Sequence, residues 1–114
     1  MPKSIVRTYS AYTKDAIQLL AKLIRITRIE RKLTLQEVAE RAGISRSMLQ
    51  RIEKADPKCE IGAIFEVATI VGVALFDLAP NSRELKRELN RSDDKLTLLP
   101  KTVHKKKRAI DDDF

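Results

Sequence analysis

Apolar residues recur along the first two-thirds of the chain with the spacing of amphipathic helices. Ile17, Leu20 and Ile24 lie three and four residues apart, which predicts a first helix capped by Thr13 and ending near Arg31. The same spacing predicts three further helices and a short helical turn, at residues 35–42, 46–54, 61–71 and 75–78.

Capping residues separate the second predicted helix from the third. Thr34 and Glu37 have the spacing of a capping box, in which each side chain binds the other residue's backbone amide. Gly43 is expected to end the second helix in a left-handed conformation, and Ser45 to cap the third. The sequence therefore predicts two short helices joined by a tight turn.

The remaining third of the chain is more polar. Ser82 is expected to cap a charged helix that ends near Asn90. Residues 95–99 alternate between polar and apolar, which predicts a short strand with Leu96 and Leu98 on one face. We therefore expect four parts: an N-terminal arm, a helical domain, an extension that forms a homodimer and a flexible charged tail, at residues 1–12, 13–80, 81–99 and 100–114.

The charge and composition of the chain limit the classes of partner that it is expected to bind. The formal net charge is +7 and the isoelectric point is about 9.8, so nucleic acid and an acidic membrane surface both suit the sign. The most apolar stretch, residues 61–76, is interrupted by Glu66 and is too short to span a bilayer. A single cysteine, Cys59, and the absence of an apolar N-terminal run favour a cytoplasmic protein.

The sequence offers little for catalysis. It contains no glycine-rich phosphate loop and no serine, histidine and aspartate set, and its lone histidine, His104, lies among lysines. We therefore expect no enzymatic activity, no cofactor and no metal site.

The segment from Leu35 to Lys54 has the plan of a helix-turn-helix. The third helix turns its apolar residues inward and leaves Arg46, Ser47, Gln50 and Arg51 outward. The arginine guanidinium can make two hydrogen bonds to guanine, and the glutamine side-chain amide can make two to adenine. We therefore predict that these four residues contact base edges. The alternative is a pair of core helices with a solvated basic face.

Residues 24–73 resemble the Xre/Cro family of helix-turn-helix regulators, which includes the lambdoid phage repressors. The resemblance implies an all-α, five-helix domain that binds a palindromic site in double-stranded DNA as a homodimer. It also implies a structural ion pair between Arg28 and Glu53. The matching residues are Arg28, Leu33–Thr34, Glu37–Val38–Ala39, Ala42–Gly43–Ile44–Ser45, Ile52–Glu53 and Val71–Gly72–Val73.

One position departs from the family pattern. The family usually has glutamine at the first turn of the second helix, where it holds a phosphate, and this chain has Leu35. We therefore assign the phosphate contacts to Gln36, Ser45 and Lys58.

The C-terminal region is similar to the tails of HipB-type antitoxins, which bind HipA-type kinase toxins and repress their own operon. The similarity rests on Asp94–Pro100, a basic cluster and a final Asp-Asp-Asp-Phe. We also hypothesise that Asp111, Asp112, Asp113 and Phe114 anchor a toxin, because an aromatic residue can fill a pocket and the aspartates would steer it towards a basic surface. The alternative is that this tail only keeps the protein soluble. The basic cluster, Lys105 to Arg108, is expected either to bind DNA phosphates or to keep the tail soluble. A stand-alone repressor and a protein-interaction module without DNA binding are the alternatives.

Overall fold

The computed structural model describes residues 8–105, which form five helices and no extended strand. This confirms the all-α fold. The chain divides into two compact units, the first ending at Leu78 and the second beginning at Ala79. None of the described helices is both long and apolar enough to cross a bilayer. The helices are α1 (Ala11–Glu30), α2 (Leu35–Ala42), α3 (Arg46–Glu53), α4 (Ile61–Val71) and α5 (Arg83–Leu98).

The first helix begins earlier than its apolar stripe suggested. Ser10 is the N-cap, and its hydroxyl accepts a hydrogen bond from the backbone amide of Thr13. The prediction that Thr13 caps α1 is therefore wrong. The two residues lie three apart, and a serine at that distance satisfies an amide that the first helical turn would otherwise leave unpaired.

The α2–turn–α3 segment forms as its capping residues predicted. The Thr34 hydroxyl accepts from the Glu37 amide, and the Glu37 carboxylate accepts from the Thr34 amide. Gly43 has a φ of 69°, which glycine adopts without the steric cost that a Cβ brings. Ser45 then caps α3 by accepting from the Met48 amide. The turn between the two helices is thus fixed by local hydrogen bonds.

The core of the first unit lies where α1, α2, α3 and α4 meet. Each helix contributes at least one side chain that is fully removed from solvent. Ala39 is small and buried at the contact of α2 with its neighbours, which lets the helices approach closely. The largest fully buried side chains are Ile24, Val38, Leu49, Val67 and Val71.

Residues Leu75 to Leu78 form a tight turn instead of the predicted helical turn. Leu75 and Leu78 make an antiparallel bridge, and the Leu78 amide donates to the Leu75 carbonyl. Phe76 and Asp77, between them, have φ values of 56° and 58°. A right-handed helix has negative φ throughout, so these two residues cannot form one.

The predicted strand at residues 95–99 is wrong, because α5 continues to Leu98. Ser82 caps α5 as predicted, by accepting from the Leu85 amide. The Thr97 hydroxyl donates to the Asp93 carbonyl one turn earlier, which is a helical contact. Alternation over so few residues is compatible with a helix, and α5 ends only where Pro100 follows Leu99.

Candidate nucleic-acid interface

Helix α3 buries one face and exposes another. Leu49 is 0% exposed and Ile52 is 3% exposed, so both belong to the core. The residues predicted to contact bases lie on the opposite, solvent-exposed face. Since residues four apart lie on the same side of a helix, Arg46 and Gln50 form one edge of this face, and Ser47 and Arg51 form the other. The structure therefore brings the four residues together on one surface.

A nearly buried ion pair connects α3 to α1. Arg28 Nε donates to Glu53 Oε2 at 2.6 Å, and Arg28 Nη2 donates to Glu53 Oε1 at 3.0 Å. Only 11% of the Arg28 side chain and 7% of the Glu53 side chain are exposed. Arg28 Nη1 also donates to the Leu33 carbonyl at 2.9 Å, just before α2 begins. One guanidinium thus connects α1, the end of α3 and the start of α2.

Asp56 contacts Arg51 from the loop that follows α3. Arg51 Nε donates to Asp56 Oδ2 at 2.8 Å, and Asp56 Oδ1 accepts from the Lys58 amide at 2.9 Å. The contact uses only Nε, which leaves the two terminal nitrogens of Arg51 for a base edge. Sequence reasoning missed Asp56 because a turn at Ala55, with a φ of 63°, brings it back towards α3.

The two charges favour each other's ionised form. The Lys58 amide and then the Arg51 guanidinium lower the pKa of Asp56 below its usual range. The hydrogen bond to Asp56 in turn raises the pKa of Arg51 above its ordinary value. Both side chains are therefore charged at neutral pH, and the hydrogen bond to Asp56 contacts the Nε edge of the Arg51 guanidinium.

The Asp56 contact gives a prediction for acid titration. A carboxyl group with a lowered folded-state pKa stabilises the fold above its unfolded pKa, and that contribution disappears as the pH falls through the folded pKa. We therefore expect Asp56 to protonate below the ordinary aspartate value of 3.8. Carbon-13 NMR of the carboxyl group, with the Lys58 amide shift as a second probe, measures this. Asp56→Asn should abolish that titration step. Protonation of Asp56 at or above the ordinary value would contradict the prediction.

The three residues assigned to phosphate lie at separate points around α2 and α3. Gln36 is exposed in the first turn of α2, and its side-chain amide donates to Glu40 at 3.1 Å. Ser45 is exposed, with its hydroxyl already accepting from the Met48 amide. Lys58 lies in the loop before α4. Their contacts with phosphate remain a prediction.

A basic groove beside α3 contains residues that the sequence analysis did not select. Arg25 of α1 and Lys54, which follows α3, line a groove of about 160 Å³ together with Leu35, Gln50 and the two residues of the buried ion pair. Leu35, the position at which the sequence departs from the Xre/Cro pattern, therefore shares this groove with two cations. Their distance in sequence hid the arrangement, which only the packing of α1 against α3 creates.

A second cleft extends this basic surface along α1. It has a volume of about 370 Å³, and Lys22 and Arg25 line it together with Lys54. Cations along the edge of an exposed helix suit the phosphates on either side of a DNA groove. The proposed toxin anchor, Asp111 to Phe114, and residues 106–108 of the basic cluster lie outside the described residues.

Comparison with known families supports the same interpretation. Residues 24–78, just under half of the chain, match the family model for helix-turn-helix domains. No curated protein matches the sequence. The family match covers α2, the Gly43 turn and α3, together with the part of α1 that carries Arg28. The match and the geometry of these helices support a DNA-binding regulator with a helix-turn-helix domain.

Proposed function

We propose that this protein is a transcriptional repressor that binds a palindromic operator as a homodimer, with α3 in the major groove. The observation that carries the proposal is the exposed face of α3, which presents Arg46, Ser47, Gln50 and Arg51. The Arg28–Glu53 pair connects this helix to α1. The four side chains on the exposed face carry the donors and acceptors that base edges require. Such a repressor acts in the cytoplasm of a bacterial cell, on the nucleoid.

The basic groove supplies the sequence-independent part of binding. Arg25 and Lys54 flank the edge of α3 that carries Gln50, where they can neutralise phosphates next to the base contacts. Gln36, Ser45 and Lys58 are proposed as further phosphate contacts. Two recognition helices about 34 Å apart fit successive major grooves, which is the geometry of a two-fold operator. We propose residues 13–80 as the DNA-binding domain and residues 81–99 as the dimerisation extension.

Selection from a random duplex pool tests the proposal without knowledge of the operator. We expect the selected sequences to share a two-fold symmetric motif. Gel shifts on that motif and on a scrambled duplex of equal length should then differ by at least about a thousandfold in affinity. Affinity for both duplexes should fall steeply with salt, because phosphate binding releases counterions. Equal binding of both duplexes would contradict sequence-specific repression, and no binding would favour the protein-interaction module.

A more specific form of the proposal is an antitoxin that binds a HipA-like kinase toxin. It is supported by the similarity of Asp94–Pro100 and the C-terminal Asp-Asp-Asp-Phe to HipB-type tails. An aromatic residue next to three acidic residues suits a pocket with a basic rim.

Deletion of Asp111 to Phe114 tests this form of the proposal. We expect the shortened protein to keep its operator affinity and to lose most of its affinity for a HipA-type kinase in a pull-down. Replacing Asp111 and Asp112 with asparagine is a milder variant that keeps the Phe114 anchor. Unchanged capture of the kinase after deletion would show that the tail is not the anchor. Failure of the full-length protein to capture the kinase would favour a stand-alone repressor.

A further inference from the structure

Helix α5 carries an apolar stripe and has no buried residue. Leu85, Leu89, Ser92 and Leu96 follow one another at intervals of four, three and four residues, which is the heptad spacing of a coiled-coil seam. Leu89 is 58% exposed and Leu96 is 67% exposed. A stripe of this spacing indicates that α5 packs against another helix.

Charged residues flank this seam on both sides. Lys86 and Asp93 lie along one side, and Glu88 and Lys95 lie along the other. Each side therefore carries one cation and one anion, two helical turns apart, and the order of the two signs is opposite on the two sides. This arrangement discriminates between parallel and antiparallel pairing of two copies of α5.

We propose that α5 forms an antiparallel coiled coil with α5 of a second copy of this chain. In the register that places Leu85 opposite the partner's Leu96, Leu89 lies opposite the partner's Ser92. Residues on the same side of the seam then meet across the two-fold axis. Glu88 faces the partner's Lys95 and Lys86 faces the partner's Asp93, so the dimer gains four attractive pairs.

A parallel pair of the same helices has the opposite electrostatics. In that orientation each side of the seam faces the other side of its partner, as the e and g positions do in parallel coiled coils. Glu88 would face the partner's Asp93, and this repulsion would occur twice. The charge pattern of α5 therefore selects the antiparallel arrangement, and it fits a second copy of the chain better than an unrelated helix.

The exposed stripe of α1 is a competing surface. Tyr12, Leu19, Leu23 and Ile26 are exposed on α1 with the same heptad spacing. Its sides carry a weaker charge pattern than those of α5, since Asp15 and Lys22 lie on one side and the other side carries the uncharged Thr13 and Thr27. An antiparallel pair of α1 helices would therefore gain two attractive pairs, against four for α5. The charge complementarity thus favours α5 as the dimer contact.

A charge exchange in the full-length protein tests the proposal by sedimentation equilibrium without DNA. Glu88→Lys and Lys95→Glu should each weaken dimerisation roughly tenfold, because two attractive pairs become repulsive in each variant. The double variant E88K/K95E should restore wild-type dimerisation. Glu88 also accepts from Arg91 within the helix. Both Glu88→Lys and the double variant lose that contact, so its loss cannot explain a restoration.

Two matched controls change the same charges on the outer face of α5. Asp94→Lys and Arg87→Glu alter the net charge by the same amounts as Glu88→Lys and Lys95→Glu, and we expect neither to affect dimerisation. Far-UV circular dichroism verifies that every variant keeps its helices. A tighter dimer for Glu88→Lys would overturn the antiparallel arrangement. If the wild type is a monomer at all concentrations, the proposal is wrong. If the protein is a dimer that no charge exchange affects, the proposal is also wrong, and α1 becomes the favoured dimer contact.

The pairing of α5 helices does not itself require DNA binding. Only its consequence, that two recognition helices bind one operator, rests on the proposed function. The two can therefore fail separately. A dimer that shows the exchange behaviour but does not discriminate between duplexes would contradict the repressor function alone. A monomer that binds a selected operator would contradict the α5 pairing alone.

Discussion

Replacing Glu53 with alanine should lower the melting temperature by about 15 °C or more, since breaking a buried pair costs ~3–5 kcal/mol and each kcal/mol is worth several degrees in a domain of this size. The variant leaves the Arg28 guanidinium, whose side chain is only 11% exposed, without a counter-charge. Arg28 also donates to the Leu33 carbonyl, so the effect extends to the start of α2. Thermal unfolding followed by circular dichroism measures the change.

A double variant separates loss of the pair from loss of its packing. Arg28→Met with Glu53→Leu removes both charges and keeps most of the side-chain volume, so we expect it to recover much of the stability. Recovery should remain incomplete because the Leu33 carbonyl loses its donor. A melting curve for Glu53→Ala that matches the wild type would show that the pair contributes little to the fold.

The parts of the fold that were predictable are those fixed by local chemistry. The capping box at Thr34, the left-handed Gly43 and the Ser45 cap each depend on residues within three positions of one another. Their hydrogen bonds form wherever the helix begins or ends, regardless of what packs around it. The bounds of α2 and the start of α3 therefore followed from the sequence.

Errors arose where a local pattern had two solutions. Ser10 and Thr13 are both good caps, and the choice of Ser10 extends α1 by residues such as Tyr12, which is 83% exposed and adds nothing to the buried stripe. Residues 95–99 alternate like a strand over too few positions to exclude a helix. Their place in α5 becomes clear only when Leu96 is compared with Leu89, two turns away, and Leu85, three turns away.

The candidate interface was predictable on α3 itself but not around it. The spacing of Leu49 and Ile52 identifies the buried face, and hence the exposed residues, from a single helical period. The contact between Arg51 and Asp56 depends on a positive φ at Ala55, which no residue preference signals. The approach of Arg25 to Lys54 depends on how α1 crosses α3, which is a property of the tertiary packing.

Arg46→Ala and Arg51→Ala should each reduce discrimination between the selected operator and its single-base variants. A bidentate arginine–guanine contact is worth ~1–3 kcal/mol, so we expect losses of about 5- to 150-fold at one base pair per half-site. Affinity for scrambled DNA should fall much less, because that binding comes mainly from phosphates. Competition gel shifts with operators mutated at each position identify the base pair that each arginine contacts.

Lysine and asparagine substitutions distinguish the shape of the Arg51 side chain from its charge. Arg51→Lys keeps the charge but lacks the planar fork, so it should retain non-specific affinity and lose discrimination at the same base pair as Arg51→Ala. Asp56→Asn weakens the contact that orients Arg51 Nε, so it should reduce discrimination at that position by less than Arg51→Ala does. Discrimination at the base pair assigned to Arg46 should be unchanged in both variants, which makes it an internal control. If instead the arginine variants weaken binding equally on every duplex, both residues contact phosphates, and the assignment of base contacts to this face of α3 is wrong.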